Sequence, residues 1–116
     1  MVLNMRIDGD VVILSNFGRL LNDPRHFDAG RDVREMLGRG YQKFIFELGG
    51  MREMGATAIG LLTTLTRQIR KEGGEAVLTH LSPSTEKYIE MMRMDAYWEV
   101  FDGVEDAEEF FRHGER

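Results

Sequence analysis

The sequence predicts an α/β fold: a mixed, mostly parallel β-sheet with helices packed against it. Three observations carry that reading. A hairpin signal opens the chain, the nearly continuous apolar run Phe44-Ile45-Phe46 lies near its middle, and from there strand patterns alternate with helical ones in the order ββαβαβαβα. Strands separated by helices need crossover connections, and crossovers produce parallel pairing.

Each element follows from local chemistry. Between Asn4 and Asp8, Met5 and Ile7 alternate with polar residues, and Asp8-Gly9 supplies positive backbone torsions for a tight turn before Val11-Val12-Ile13-Leu14. Asn22-Asp23-Pro24 offers a cap and a first-turn proline, and Ala29, Val33, Met36 and Leu37 continue at helical spacing, so a helix is expected over 24–38 with Gly40 just beyond it. Lys43 to Leu48 reads as a central strand covered on both faces, ended by Gly49-Gly50. From Ala56, the residues Ala58, Leu61, Leu62, Leu65 and Ile69 form one apolar helical stripe that stops at Gly73-Gly74. Ala76-Val77-Leu78 is a short buried strand, and Ser82-Pro83 starts a helix that turns Tyr88, Ile89 and Met92 to one side and ends near Arg93. Tyr97 to Phe101 reads as a last strand. Asp102 with Glu105 resembles a capping box for a final helix with Val104, Ala107, Phe110 and Phe111 inward.

Composition bounds the function. The 116 residues are enough for one domain, 1–116, and an apolar content of 42% fills one core. The absence of cysteine removes disulfides, thiolate metal sites, iron–sulfur clusters and thiol nucleophiles. A net charge of −5 argues against nucleic acid as a partner. Arg6, Asp8 and Asp10 interrupt the first residues, so neither a signal peptide nor membrane insertion is expected, and the expected location is the cytoplasm.

No catalytic residue stands out. His26, His80 and His113 are far apart in sequence and form no pair at a ligand interval, so no metal or other cofactor is expected, and the histidines read as surface or second-layer residues. Ser15, Ser82 and Ser84 lack the Gly-x-Ser-x-Gly elbow of a serine nucleophile. The loop Gly49-Gly50-Met51-Arg52-Glu53-Met54-Gly55 joins a strand to a helix but has no Gly-Lys-Ser/Thr ending, which leaves nucleotide binding with little support. Met51 and Met54 lie between glycines, where apolar side chains are hard to bury, and they lean toward an interface.

The chain resembles the STAS domain, the fold of bacterial anti-sigma factor antagonists, stressosome proteins and the cytoplasmic tails of sulfate transporters. The resemblance rests on five segments in order: Val11 to Leu14 leading to Gly18-Arg19-Leu20, Phe44 to Gly50, Ala58 to Leu62, Glu72-Gly73-Gly74 before a Val-Leu strand, and Phe101 to Ala107. It implies a non-enzymatic regulatory module that docks on an anti-sigma factor or serine kinase. In antagonists that switch by phosphorylation, the helix after the central strand opens with Asp-Ser-Ser/Thr-Gly, and the first hydroxyl residue accepts phosphate. Here the tetrad is Gly55-Ala56-Thr57-Ala58, so Ala56 stands at the phosphoserine position. Thr57 is the remaining phosphoacceptor candidate, with a capping or packing threonine as the alternative. Leu21 occupies the place of a family acidic residue, and Asp23 is the nearest carboxylate that replaces it, or else a helix cap. The implied partner surface is Asp23, Met51, Arg52, Glu53, Met54, Gly55, Ala56 and Thr57. A second reading is a scaffold subunit, in a homo-oligomer or in a stressosome-like or transporter-associated assembly, with no phosphorylation switch.

Overall fold

The computed structural model describes residues 4–15, 28–49 and 56–113. Five strands form one sheet in the order β1-β2-β3-β4-β5. The elements are β1 (Asn4–Asp8), β2 (Val11–Ser15), α1 (Asp28–Gly38), β3 (Lys43–Glu47), α2 (Ala56–Lys71), β4 (Glu75–Thr79), α3 (Pro83–Met91), β5 (Val100–Phe101) and α4 (Val104–His113). The order is the predicted ββαβαβαβα. Strands β1 and β2 pair antiparallel, and every later pair is parallel. No helix among the described residues is long and apolar enough to cross a membrane.

The alternation within β2, β3 and β4 divides the core in two. Val12, Leu14, Phe44, Phe46, Ala76 and Leu78 point to one face, where they pack with Val33 and Met36 of α1, Leu62, Leu65 and Ile69 of α2, and Ile89 of α3. Val11, Ile13, Ile45 and Val77 point to the other, which Ala107 and Phe111 of α4 cover. Both faces are dry, so these strands read as unbroken apolar runs rather than as an alternating pattern. Each fully buried Phe, Leu or Ile contributes about 1.5–3 kcal/mol relative to an exposed position.

Three helices leave the core through one hydrogen-bond pattern. At the end of α2, Gly74 N–H donates to Ile69 O at 2.9 Å and Gly73 N–H to Arg70 O at 3.0 Å, with Gly73 at φ +88°, a Schellman motif. The second glycine is required by space: a Cβ at Gly74 would lie 2.6 Å from Gln42 O. Helix α1 ends the same way through Tyr41 N–H to Met36 O, with Gly40 at φ +98°. Helix α3 ends through Met94 N–H to Ile89 O, but its left-handed residue is Arg93, at φ +60°.

Four local expectations are corrected. The hairpin loop is Gly9-Asp10 rather than Asp8-Gly9, because Asp8 pairs with Val11, and only Gly9 has positive φ, as in a type II′ connection. The last strand is two residues long rather than 97–101. Tyr97 has spent both backbone groups elsewhere, its N–H on Met94 O at 3.0 Å and its carbonyl on Arg70 Nη2 at 2.6 Å, so it has nothing left for the ladder. Helix α4 begins at Val104, with the Gly103 carbonyl accepting Ala107 N–H, which makes Gly103 and not Asp102 the cap residue. Met92 follows the end of α3 and is 45% exposed, because the chain has already turned away from the core stripe. The Ser82 cap is as expected: its Oγ accepts Thr85 N–H at 3.1 Å. The expected helix start at 24–27 lies outside the described residues.

The hairpin is joined to α4 and β3 by carboxylates with opposite tendencies. Lys43 Nζ donates to Asp10 Oδ2 at 2.9 Å, and this holds Asp10 below the usual carboxylate range. Glu108 of α4 is pushed above that range, first by a hydrogen bond shared with the Asp8 carboxyl, then by burial and the Asp8 charge. The contribution of Asp10 is therefore present above the ordinary Asp value near pH 3.9 and is lost as pH falls through its lowered value. That of Glu108 has the other sign, complete below about pH 4.3 and lost as pH rises through its raised value.

Two predictions follow from these contacts. Arg93→Gly relieves the left-handed strain at the end of α3 and raises stability by about 1 kcal/mol in urea unfolding; an unchanged or lower midpoint contradicts the strain. Glu108→Gln raises stability at pH 7 by ~0.5 kcal/mol after solvent screening, with the gain vanishing near pH 4. A gain of equal size at both pH values removes the Asp8 pair as its cause.

Candidate functional site

The C-terminal ends of parallel strands are where an open α/β sheet collects its loops, and here they gather the chain around β3. The pairing of β3 with β4 extends one residue past the strand, since Leu48 N–H donates to Thr79 O at 3.0 Å. Leu48 is buried, so the chain leaves the sheet at Gly49 from a fixed position. It re-enters the described structure at Ala56, the first residue of α2, and Thr57 follows in the same turn. A first helical turn has N–H groups without intrahelical partners and the positive end of the dipole, and no acidic residue of α2 lies in this one. Asp23, Met51, Arg52, Glu53, Met54 and Gly55 lie outside the described residues, as do Gly50 and His26.

The first turns of α2 are anchored on one side and bare on the other. Ala58 and Ile59 are buried, and Leu62 below them is completely so. Gly60 is exposed, and a Cβ built there would meet nothing within 4 Å among the described residues. Thr64 and Arg67 continue the same exposed line down the helix. A glycine inside a helix costs about 1 kcal/mol relative to Ala, and neither packing nor a positive φ repays it at this position. What it provides is a flat stretch of helix that another backbone can approach closely.

His80 stands beside this exit. It has φ +61°, its ring packs over Gly49 on one side, and its Nε2 faces Gly103 on the other. Its Nδ1 lies 3.1 Å from Thr79 Oγ1 and 3.4 Å from Glu47 Oε2. The group resembles a nucleophile, base and carboxylate, but both contacts go to the same ring nitrogen and Thr79 is fully buried, so it has no relay geometry. It braces the ends of β3 and β4 instead. The sequence interval between Glu47 and His80 hides a contact that only parallel pairing creates.

The other chemistry-bearing residues have structural duties. Ser82 Oγ caps α3 and also donates to Thr85 Oγ1 at 3.0 Å. His113 pairs with Glu109 at 3.1 Å, one turn back along α4. No group of three His, Asp or Glu residues among the described residues is arranged to hold a metal ion. Gly60 and His80 are the residues that sequence reasoning passed over as part of this end of the sheet. An exposed glycine within the α2 stripe was the available signal for the first; nothing in the sequence marks the second.

The STAS domain family model matches residues 4–107. No curated protein matches the sequence. Among solved structures, a candidate anti-sigma factor antagonist from Thermotoga maritima is similar at TM-score 0.77 and 20% identity, over 96% of this chain and 95% of that one. An anti-sigma factor antagonist (STAS) domain protein from Planctomyces limnophilus is similar at TM-score 0.75 and 17% identity, over 92% and 95%. The anti-sigma factor antagonist SpoIIAA in its unphosphorylated form is similar at TM-score 0.72 and 14% identity, over 97% of each chain; the phosphorylated form of SpoIIAA, a Bacillus cell fate determinant, is similar at 0.67. With the five-stranded mixed sheet, its element order and this match over nearly the whole length, the chain belongs to the STAS domain family.

Proposed function

We propose that the protein is a non-enzymatic regulatory binding module of the anti-sigma factor antagonist kind. It docks on an anti-sigma factor or serine kinase through the β3–α2 connection and the first turns of α2: Asp23, Met51 to Gly55, Ala56, Thr57 and, beyond the residues expected from sequence, Gly60. The observation that carries this reading is the exposed face of α2 at Gly60, one turn from the helix start at Ala56, in the element that comes next after the central strand. SpoIIAA, similar in fold, has a phosphorylated form. In this chain Ala56 has no hydroxyl to accept phosphate, and the binding-competent state is then the default one. Phosphate on Thr57 is the remaining route to a switch: it would add about −1.5 to −2 charges at the docking face and oppose binding by repulsion and desolvation.

The missing hydroxyl at Ala56 also favours a second reading, a scaffold subunit of a stressosome-like or transporter-associated assembly. A permanent interface of that kind is larger and more apolar than a transient one, and Met51 and Met54 would belong to it.

Capture of partners from the native cell extract with tagged protein, identified by mass spectrometry, separates the two. An anti-sigma factor or histidine-kinase-like ATPase supports the first reading, and transporter or stressosome-like subunits support the second. Gly60→Ala is expected to stabilise the fold by about 0.5–1 kcal/mol, whereas Gly60→Arg keeps the fold and abolishes capture. Undiminished capture by Gly60→Arg removes this face from the interface. Phosphate transfer by a co-captured kinase is expected to disappear in Thr57→Ala; transfer that persists ends the Thr57 route.

A further inference from the structure

The edge of the sheet at β5 carries a second surface, built on different physics and lying two strands, roughly 10 Å, from the exit of β3. A groove of about 280 Å³ runs between α3 and the segment leading into β5. Its floor is apolar: Ile89 and Trp98 are buried, Met94 is half-buried, and Val100 at the mouth is 41% exposed. Its rim is formed by four carboxylates, Glu86 and Glu90 from α3, Asp95 and Glu99 from the following segment. All four are exposed, and among the described residues none has an ion-pair partner and no Lys, Arg or His lines the groove.

Local stability accounts for one of the four, Glu86, which lies in the first turn of α3 where the helix dipole favours it, but not for the arrangement as a whole. Glu86 and Glu90 are four residues apart on one helix, where like charges repel. Glu90 also sits in the last turn of α3, which has no basic residue, so its charge opposes the negative end of the helix dipole. The floor is held rigidly from beneath, because Trp98 Nε1 donates to the buried Thr66 Oγ1 at 2.8 Å. A preformed apolar slot ringed by carboxylates without cation partners among the described residues is complementary to an apolar side chain flanked by cations.

We propose that this groove docks a segment of a partner protein in which Lys or Arg residues flank one apolar anchor. The anchor enters between Ile89, Met94 and Trp98, and the cations pair with the rim carboxylates. The surface is separate from the α2 face and does not depend on what binds there.

Trp98 is the single tryptophan of the chain, so its fluorescence reports occupancy of the groove. The probe is a short Trp-free peptide of Lys and Leu, with an otherwise identical peptide of Glu and Leu as control. The Lys-Leu peptide is expected to give a saturable change at low salt that weakens as salt screens the rim. Two double reversals, Glu86→Lys with Glu90→Lys and Asp95→Lys with Glu99→Lys, are each expected to weaken binding about tenfold while the thermal melt stays cooperative. Because the two pairs lie on different segments, a folding failure in one leaves the other informative. An equal response to the acidic peptide, equal affinity in both reversals, or no response up to ~1 mM peptide overturns the proposal.

Discussion

Strands β2, β3 and β4 bury apolar side chains on both faces, and the placement of every helix answers to that constraint. Phe44 and Phe46 need cover on one side of the sheet while Ile45 needs it on the other, one residue away in sequence. Parallel pairing satisfies the backbone, but it forces each strand to be reached by a crossover that passes over a face. Among the described residues, three helices take the larger face and α4 takes the other, where it covers Val11, Ile13, Ile45 and Val77. There Arg6, Asp8, Glu47, His80 and Glu108 border a depression of about 550 Å³, and the raised Glu108 belongs to this side.

The crossovers also decide where the chain can vary. At the N-terminal ends of the strands the connections are short and fully determined: Gly73 supplies a left-handed torsion, Gly74 the space beside Gln42, and Arg70 ties Glu75 and the Tyr97 carbonyl together while its guanidinium lies 4.6 Å from the Tyr97 ring centre. At the opposite end, the exit from β3 passes Gly49 under His80 before the chain enters α2. One end of the sheet is locked by close packing, and the other presents a helix start and an exposed glycine.

What the sequence reveals follows from how local each determinant is. Apolar spacing in α2, the double glycine after it and the Ser82-Pro83 start involve residues a few positions apart, and all three elements were readable. The contacts that escaped are long-range. Thr66 and Trp98 are 32 residues apart, Glu47 meets His80 only through parallel register, and Glu108 reaches Asp8 across the whole chain. Tyr97 shows the limit most clearly: its residue type favours a strand, but a turn bond to Met94 O occupies its N–H and Arg70, 27 residues back, takes its carbonyl.

The α2 face and the β5 groove would act on a partner through different terms in the binding equilibrium. A bare helix at Gly60 gains from close approach, so its contribution is steric, short-ranged and expressed in the rate of dissociation. Four carboxylates around the groove create a field that extends about 10 Å at 0.1 M salt, so their contribution is expressed in the rate of encounter and fades as salt rises. Bulk added at Gly60 should therefore slow nothing before contact, and charge removed at Glu90 or Glu99 should change little after it. A partner that engages both surfaces would show two separable kinetic signatures on one molecule, and a partner that engages only one would show which by its response to salt alone.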